Sequence, residues 1–341
     1  MTGFRTIGAL VFATLGIAVA ANAGCSGRAL IGSSRPDWRP VGCPQTGDPP
    51  VYLATGPGDI YRMDPESFGI ERIGAITCPM SGQVSNLGIN RRGDVLVSLG
   101  DMRGGRSMIT GTMSLATCEA GGIQQVTPVS KFSSFVFALR DEGDSGGDDL
   151  YTFGYDDMVT TSYLVRSPNL FDPGEVLGQF RFAGGQRSDG LCQSGRQMMP
   201  DPLSCSAPRA YAQLASWPAG DARHRSLVAV AFADTDFKLM LIPNPDTAEI
   251  SEVRTITGIP LDSSFRGFSA TVWGNSVYLF LRRGETIAPD AGTTMMLPPP
   301  TRTTVHRVAI ATGQAEMVAG ALDIVVAGAA VPPCIRYATT R

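Results

Sequence analysis

From residue 51 onward, apolar and polar positions alternate in short runs, and Gly, Asp or Pro ends each run. A period of two over four to eight residues is the pattern of a half-buried β-strand. No stretch shows the 3.6-residue recurrence of a long amphipathic helix. The pattern therefore predicts an all-β chain, and its runs recur in sets of four. The clearest set opens with Ser134-Phe135-Val136-Phe137-Ala138-Leu139 and turns through 141–148. It continues with Leu150-Tyr151-Thr152-Phe153 and closes with Ser162-Tyr163-Leu164-Val165-Arg166 and Val176-Leu177-Gly178-Gln179-Phe180. An earlier set reads 86–89, 95–98, 109–115 and 124–129. Two later sets read 211–214, 227–232, 237–242 and 250–256, then 268–273, 277–281, 305–310 and 315–318.

The chain ends complete the series. Residues 51–54, 60–63 and 68–73 read as second, third and fourth strands that lack a first, whereas Asp323-Ile324-Val325-Val326-Ala327 reads as a first strand with nothing after it. Joined, they make one more set. A ring of four-stranded sheets buries each sheet between its neighbours and leaves only short edges open. Such a ring must close, because an unpaired blade would expose its backbone donors and acceptors. The expectation is a single β-propeller over 51–330, with five four-stranded blades and one blade shared by the two ends of the chain. Six or seven blades are the alternative counts, and a β-sandwich is the alternative architecture that the same alternation allows.

Asp59-Ile60-Tyr61-Arg62-Met63-Asp64-Pro65 with Ile73-Gly74, and Arg307-Val308-Ala309 with Thr312-Gly313, carry a repeat that resembles the Leu/Ile-Tyr-x-Val/Met-Asp-Pro-x-Thr-Gly type. That type is found in secreted bacterial propellers of the quinoprotein-like and NHL-like groups. The resemblance implies a fold shared by enzymes, lectins and scaffolds, and so does not select an activity. It is compatible with a lipoprotein of that kind. No cofactor signature of the quinoprotein enzymes accompanies the repeat.

Outside the repeats, 1–24 reads as a signal peptide: Arg5 supplies the positive charge, an apolar stretch follows, and small residues lead to Cys25. Ala21-Asn22-Ala23 is a site for ordinary signal peptidase. Ala23-Gly24-Cys25 resembles the end of a lipobox, although Asn22 stands where an aliphatic residue is usual. The chain holds seven cysteines. Lipidation of Cys25 leaves an even six in an oxidising compartment. Cys192 with Cys205, Cys78 with Cys118, and Cys43 with Cys334 are the pairs expected. Residues 25–50 read as a Ser/Pro/Gly-rich tether, and 331–341 as a C-terminal tail. Insertions at 183–209 and 283–303 interrupt the rhythm of the repeats, and long loops on a rigid scaffold are places where binding concentrates.

Composition then removes function classes. Lys plus Arg number 28 and Asp plus Glu 31, a net charge of −3, so nothing calls for nucleic acid or an anionic membrane surface. Charged residues make up only 17% of the chain, which excludes a charged disordered chain and a coiled coil. Gly143-Asp144-Ser145-Gly146-Gly147 copies a serine-protease nucleophile motif. However, His224 and His306 both lie downstream of it, and Gly and Asp are the ordinary residues of a hairpin loop. Asp141, Asp144, Asp148 and Asp149, with Glu142 among them, form the densest acidic cluster. They are the candidate calcium ligands, with a solvated turn as the plainer explanation. Arg92-Gly93-Asp94 falls where a tight turn belongs. Trp217 and Trp273 suit either a glycan-binding rim or packing between blades. A glycosidase needs two carboxylates facing the scissile bond, and the inner-strand runs hold none except Asp323 at the start of one.

The sequence thus predicts an exported propeller, anchored by lipid at Cys25 to a bacterial cell envelope. It would act as a monomeric, non-catalytic binding module without a cofactor, and its partner would be an envelope protein or a glycan. The alternative localisation is periplasmic or secreted, and the alternative function is a secreted polysaccharide hydrolase.

Overall fold

The computed structural model describes residues 49–78, 80, 82–101, 108–115, 118, 126–140, 148–156, 162–168, 174–182, 212–218, 225–233, 236–284 and 300–334. Along the chain the strands are β1 (Val51–Thr55), β2 (Asp59–Met63), β3 (Ile70–Ala75), β4 (Gln83–Ile89), β5 (Val95–Asp101), β6 (Met108–Ser114) and β7 (Lys131–Leu139). Next come β8 (Asp148–Tyr155), β9 (Ser162–Ser167), β10 (Glu175–Gln179), β11 (Arg181–Phe182), β12 (Ala212–Pro218), β13 (Arg225–Ala233) and β14 (Asp236–Ile242). The last are β15 (Glu249–Ile250), β16 (Glu252–Ile256), β17 (Phe265–Trp273), β18 (Ser276–Arg283), β19 (Arg302–Ala309), β20 (Ala315–Leu322) and β21 (Val326–Ala330).

These strands form five antiparallel blades of a β-propeller. Blade 1 is β21-β1-β2-β3, blade 2 is β4-β5-β6, blade 3 is β7-β8-β9-β10, blade 4 is β12-β13-β14-β16 and blade 5 is β17-β18-β19-β20. The ring closes as the alternation implies. β21 pairs antiparallel with β1, placing Leu53 opposite Ala329 and Ala54 opposite Gly328. Both strands are buried along their whole length.

Two strand assignments shift. The closing strand lies at 326–330, three residues beyond the expected 323–327. The axis is crowded and selects small side chains: a Cβ on Gly328 would stand 2.7 Å from the Leu87 nitrogen, closer than real Cβ atoms approach backbone. Ala327-Gly328-Ala329-Ala330 fits that space, and charged Asp323 stays outside. The expected fourth strand of blade 2, at 124–129, is also not what its described part forms. Val126 and Val129 bridge one another across a tight reverse turn containing a cis Thr127–Pro128 bond. Blade 2 therefore shows three strands among the described residues.

Each seam between blades is a hydrophobic layer filled from both sides, but the five layers differ. Blades 4 and 5 share fifteen buried apolar residues, including Phe237, Leu239, Phe268, Leu279 and Val308. Tyr278, Phe280 and Val305 of blade 5 meet Val51, Leu53 and Val326 of blade 1. Between blades 2 and 3 the apolar layer is Leu96, Phe135, Phe137 and Leu150. Near the axis, hydrogen bonds link consecutive inner strands. Asn86 Nδ2 donates to the Phe135 carbonyl (3.3 Å), the Leu214 N–H donates to Ser134 Oγ (2.9 Å), and Ser269 Oγ donates to the Ala327 carbonyl (2.8 Å).

Candidate functional site

All five inner strands run the same way along the axis, so the ring has two different faces. The C-face gathers the C-terminal ends of β4, β7, β12, β17 and β21, and there the axis is narrow. Leu87, Phe135, Phe137, Leu214 and Val272 surround it, and Val331-Pro332-Pro333 lies across its mouth. The remaining space of about 20 Å³ is near the size that holds a single water. None of the five inner strands carries an aspartate or glutamate. The acid pair that axial glycoside hydrolysis needs is therefore missing from these strands.

The C-face also carries an open cleft of about 580 Å³ between blades 1 and 5. Pro50, Pro65, Arg62, Asp64, Glu71 and Trp273 border it. The tryptophan is not an exposed platform: its ring is buried, its indole N–H donates to the Pro49 carbonyl (3.1 Å), and it meets Tyr278 edge to face. Of the two roles open to Trp273, interblade packing is the one the fold uses. Across the cleft Arg62 is paired with Glu71. Two backbone N–H groups and the Ser67 hydroxyl donate to Asp64 and hold its carboxyl below the usual carboxylate range.

The N-face receives both long insertions. Gly284 and Thr301, which flank the second one, are tied down there: the Gly284 N–H donates to the Ser264 carbonyl (2.8 Å) and the Thr301 N–H to the Arg283 carbonyl (2.7 Å). The first insertion links the outer part of blade 3 to Ala212, where the inner strand of blade 4 begins. Beneath this face lies a polar cluster in blade 5, in which Arg283 and Ser264 are buried and Asp262 is exposed. Arg283 donates to Asp262 Oδ1 (3.2 Å), to Ser264 Oγ (3.4 Å) and to the Pro260 carbonyl (2.7 Å). Burial lowers the pKa of Arg283, while the Ser264 hydroxyl and N–H keep Asp262 ionised below the usual range. Arg282, its neighbour in sequence, reaches the Phe268 carbonyl (3.4 Å) through the gap left by Gly267. With φ at +135°, a Cβ at Gly267 would stand 2.6 Å from Arg282 Nη2. His306 sits fully buried on β19, with Nε2 3.5 Å from Thr304 Oγ1.

The structure brings together few of the residues singled out by sequence. Cys78 and Cys118 are bonded, with Cα atoms 5.4 Å apart, and join the exit of blade 1 to the exit of β6. Cys334 is buried and disulfide-bonded as well, and its expected partner Cys43 lies outside the described residues. Cys25, Cys192, Cys205, Asp141, Asp144, His224 and the Gly-Asp-Ser-Gly-Gly motif also lie outside them. Of the calcium candidates, Asp148 accepts from the Arg91 N–H and Nε (2.6 Å each) and Asp149 from Arg140 Nε (2.9 Å). No group of three or more His, Cys, Asp or Glu converges as a metal site among the described residues. Arg92-Gly93-Asp94 forms the expected turn, with Gly93 at φ +82°.

No sequence motif marks Arg283 on the same face of blade 5 as His306, or Arg282 on the opposite face. The available signal was the strand ending Leu281-Arg282-Arg283. Adjacent residues on a strand face opposite ways, so both faces of a buried sheet receive a cation there.

No family profile and no curated relative matches the chain. Solved structures do. An exo-β-1,3-galactanase from Phanerochaete chrysosporium aligns over 80% of this chain and 54% of its own, with 8% identity and a TM-score of 0.40. A sucrose-6-phosphate hydrolase from Lactobacillus gasseri aligns over 80% and 58%, with 12% identity and a TM-score of 0.40. A protein of unknown function from Bacteroides caccae aligns over 83% and 98%, with 11% identity and a TM-score of 0.33. The chain thus spans little more than half the length of the two hydrolases. The assignment to the five-bladed propellers rests on the strand pairing of the chain itself.

Proposed function

We propose that this chain is a binding module of a bacterial cell envelope, exported and lipid-anchored at Cys25, with the N-face as its working surface. One observation carries the reading. The inner strands around the axis bear no carboxylate and leave only about 20 Å³ at the C-face, while both long insertions attach at the other face. Such a scaffold suits a glycan or an envelope protein held by loops, and the proposal includes no cofactor. Among the described residues no helix is long and apolar enough to cross a membrane.

The second reading, a polysaccharide hydrolase, would need carboxylates supplied from loops rather than from inner strands. Both readings meet in one experiment. The chain from residue 26 is incubated with insoluble envelope and plant polysaccharides, scoring retention on the solid and release of reducing ends. The binding reading expects retention, or capture of an envelope protein on the same beads, with no release above a blank. Catalytic release of reducing ends would replace it with the hydrolase reading. For the anchor, a fatty-acid analogue should label the full chain and not Cys25→Ala.

A further inference from the structure

His306 lies on the side of β19 that faces blade 4, between Thr304 and Val308 in the strand's alternation. Leu279 pairs with it across β18 and Met317 across β20. The pairing with β20 slips at this point, with register shifts on either side of Val305. The imidazole is fully buried, and its Nδ1 has no hydrogen-bond partner. The charged groups around it are few and mostly committed. On β18, Arg283 is held by Asp262 from the connection before β17. On its own strand and on β20, Arg307 is paired with Glu316, and Arg302 stands at the start of β19. From blade 4, Arg254 is paired with Glu252 and reaches the Ile310 carbonyl, and Lys238 lies by Asp236. No carboxylate among these is placed to receive a proton-bearing imidazole, and the nearest acting charge, Arg283, repels it.

We propose that His306 is an acid-sensitive latch: neutral, it lets β19 and β20 stay seated against blade 4, and protonated, it releases the outer half of blade 5. The physical cause is burial of a charge without a partner, next to a like charge. Burial first, then Arg283, lowers the imidazole pKa from its ordinary 6.5. The sign follows. Above about 6.5 the group adds no pH dependence, because it is neutral folded or unfolded. Below that value only the unfolded chain gains the proton. Each further pH unit therefore lowers the folding constant up to tenfold until the folded-state value is reached. β19 begins directly after the second insertion, so an acidic environment would loosen part of the N-face.

The chain has two histidines, and the effect can be assigned to one of them. Thermal unfolding and amide exchange are measured from pH 7.5 to 5.0 on the full chain, His224→Gln, His306→Leu and His306→Gln. Wild type and His224→Gln should lose stability below about pH 6.5, with protection factors (exchange relative to the intrinsic rate at each pH) in Arg302–Ala309 and Ala315–Leu322 falling up to tenfold per unit and those of β7 and β8 unmoved. Either His306 variant, if folded, should show no such dependence. Titration of Asp148, whose carboxyl burial holds above its ordinary value, acts in the opposite direction and cannot mimic the loss. Should both variants fail to fold, the imidazole NMR signals of wild type, assigned with His224→Gln, still decide: His306 titrates below the ordinary 6.5. Stability that is flat to pH 5, an equal loss in a folded His306 variant, or an imidazole that titrates at 6.5 or above in the intact fold overturns the latch.

Discussion

The seam between blades 4 and 5 and the seam between blades 2 and 3 hold the same ring together by different means. At the first, Phe237, Leu239, Phe268, Leu279 and their neighbours form an apolar layer of fifteen buried residues, with His306 beside it. Rings of Phe237 and Phe268 meet edge to face at 5.0 Å. At the second, Leu96, Phe135, Phe137 and Leu150 form the described apolar layer. Polar bonds cross that seam beside them: Asn86 to the Phe135 carbonyl, and Arg91 to Asp148 through two bonds of 2.6 Å. The lesson concerns tolerance. An apolar seam loses stability in proportion to the volume removed. A polar seam loses it only when one partner is left behind, because the orphaned group then carries its full desolvation cost.

The largest effect should come from removing residues 324–341, which takes β21 away and opens the seams on both sides of blade 1. Backbone groups of β1 would lose their partners, and Val51 and Leu53 would meet water at roughly 25 cal/mol per Å² of apolar area. Cooperative destabilisation or aggregation is expected beyond that of a Cys334→Ser control, measured by thermal unfolding. Next, Phe237→Ala should cost about 3–5 kcal/mol by denaturant titration, the range for a fully buried aromatic. A cost below about 1 kcal/mol would mean that the blade 4–5 layer is not close-packed.

Arg91→Ala should cost less, about 2 kcal/mol at neutral pH, since Arg91 is 21% exposed and water reaches the site. Its pH dependence sharpens the comparison. Burial raises the Asp148 pKa above its ordinary 3.8 despite Arg91. Stability from this group therefore increases as pH falls through the folded-state value, and the variant should recover part of its loss under mild acid. The double change Arg91→Met with Asp148→Leu should cost less than Arg91→Ala alone. Last, Arg62→Ala on the exposed Arg62–Glu71 pair should change stability by less than about 0.5 kcal/mol.

The two seams also differ in how far the sequence reveals them. Period-two alternation shows which residues enter an apolar layer, so the strands of blades 3, 4 and 5, their order and the shared blade could be read directly. Alternation says nothing about how much room a position has. The run Ile324-Val325-Val326 therefore drew the closing strand three residues early, while the axis admits Gly328 and alanines. It says nothing about charge partners either. Asp148 reads as part of an acidic turn until the fold brings Arg91 beside it from 57 positions away. His306 is a parallel case, since strand alternation places it inward but cannot show that Nδ1 goes unpartnered.

The central claim is that the two ends of the chain jointly close the ring, and amide exchange of β1 and β21 in the intact protein tests it most directly. Paired as Leu53 with Ala329 and buried throughout, both strands should exchange as slowly as β12 and β17, the inner strands of blades 4 and 5. Exchange of Val326–Ala330 at the rate of an open terminus, with β1 unprotected along its inner edge, would contradict the closure.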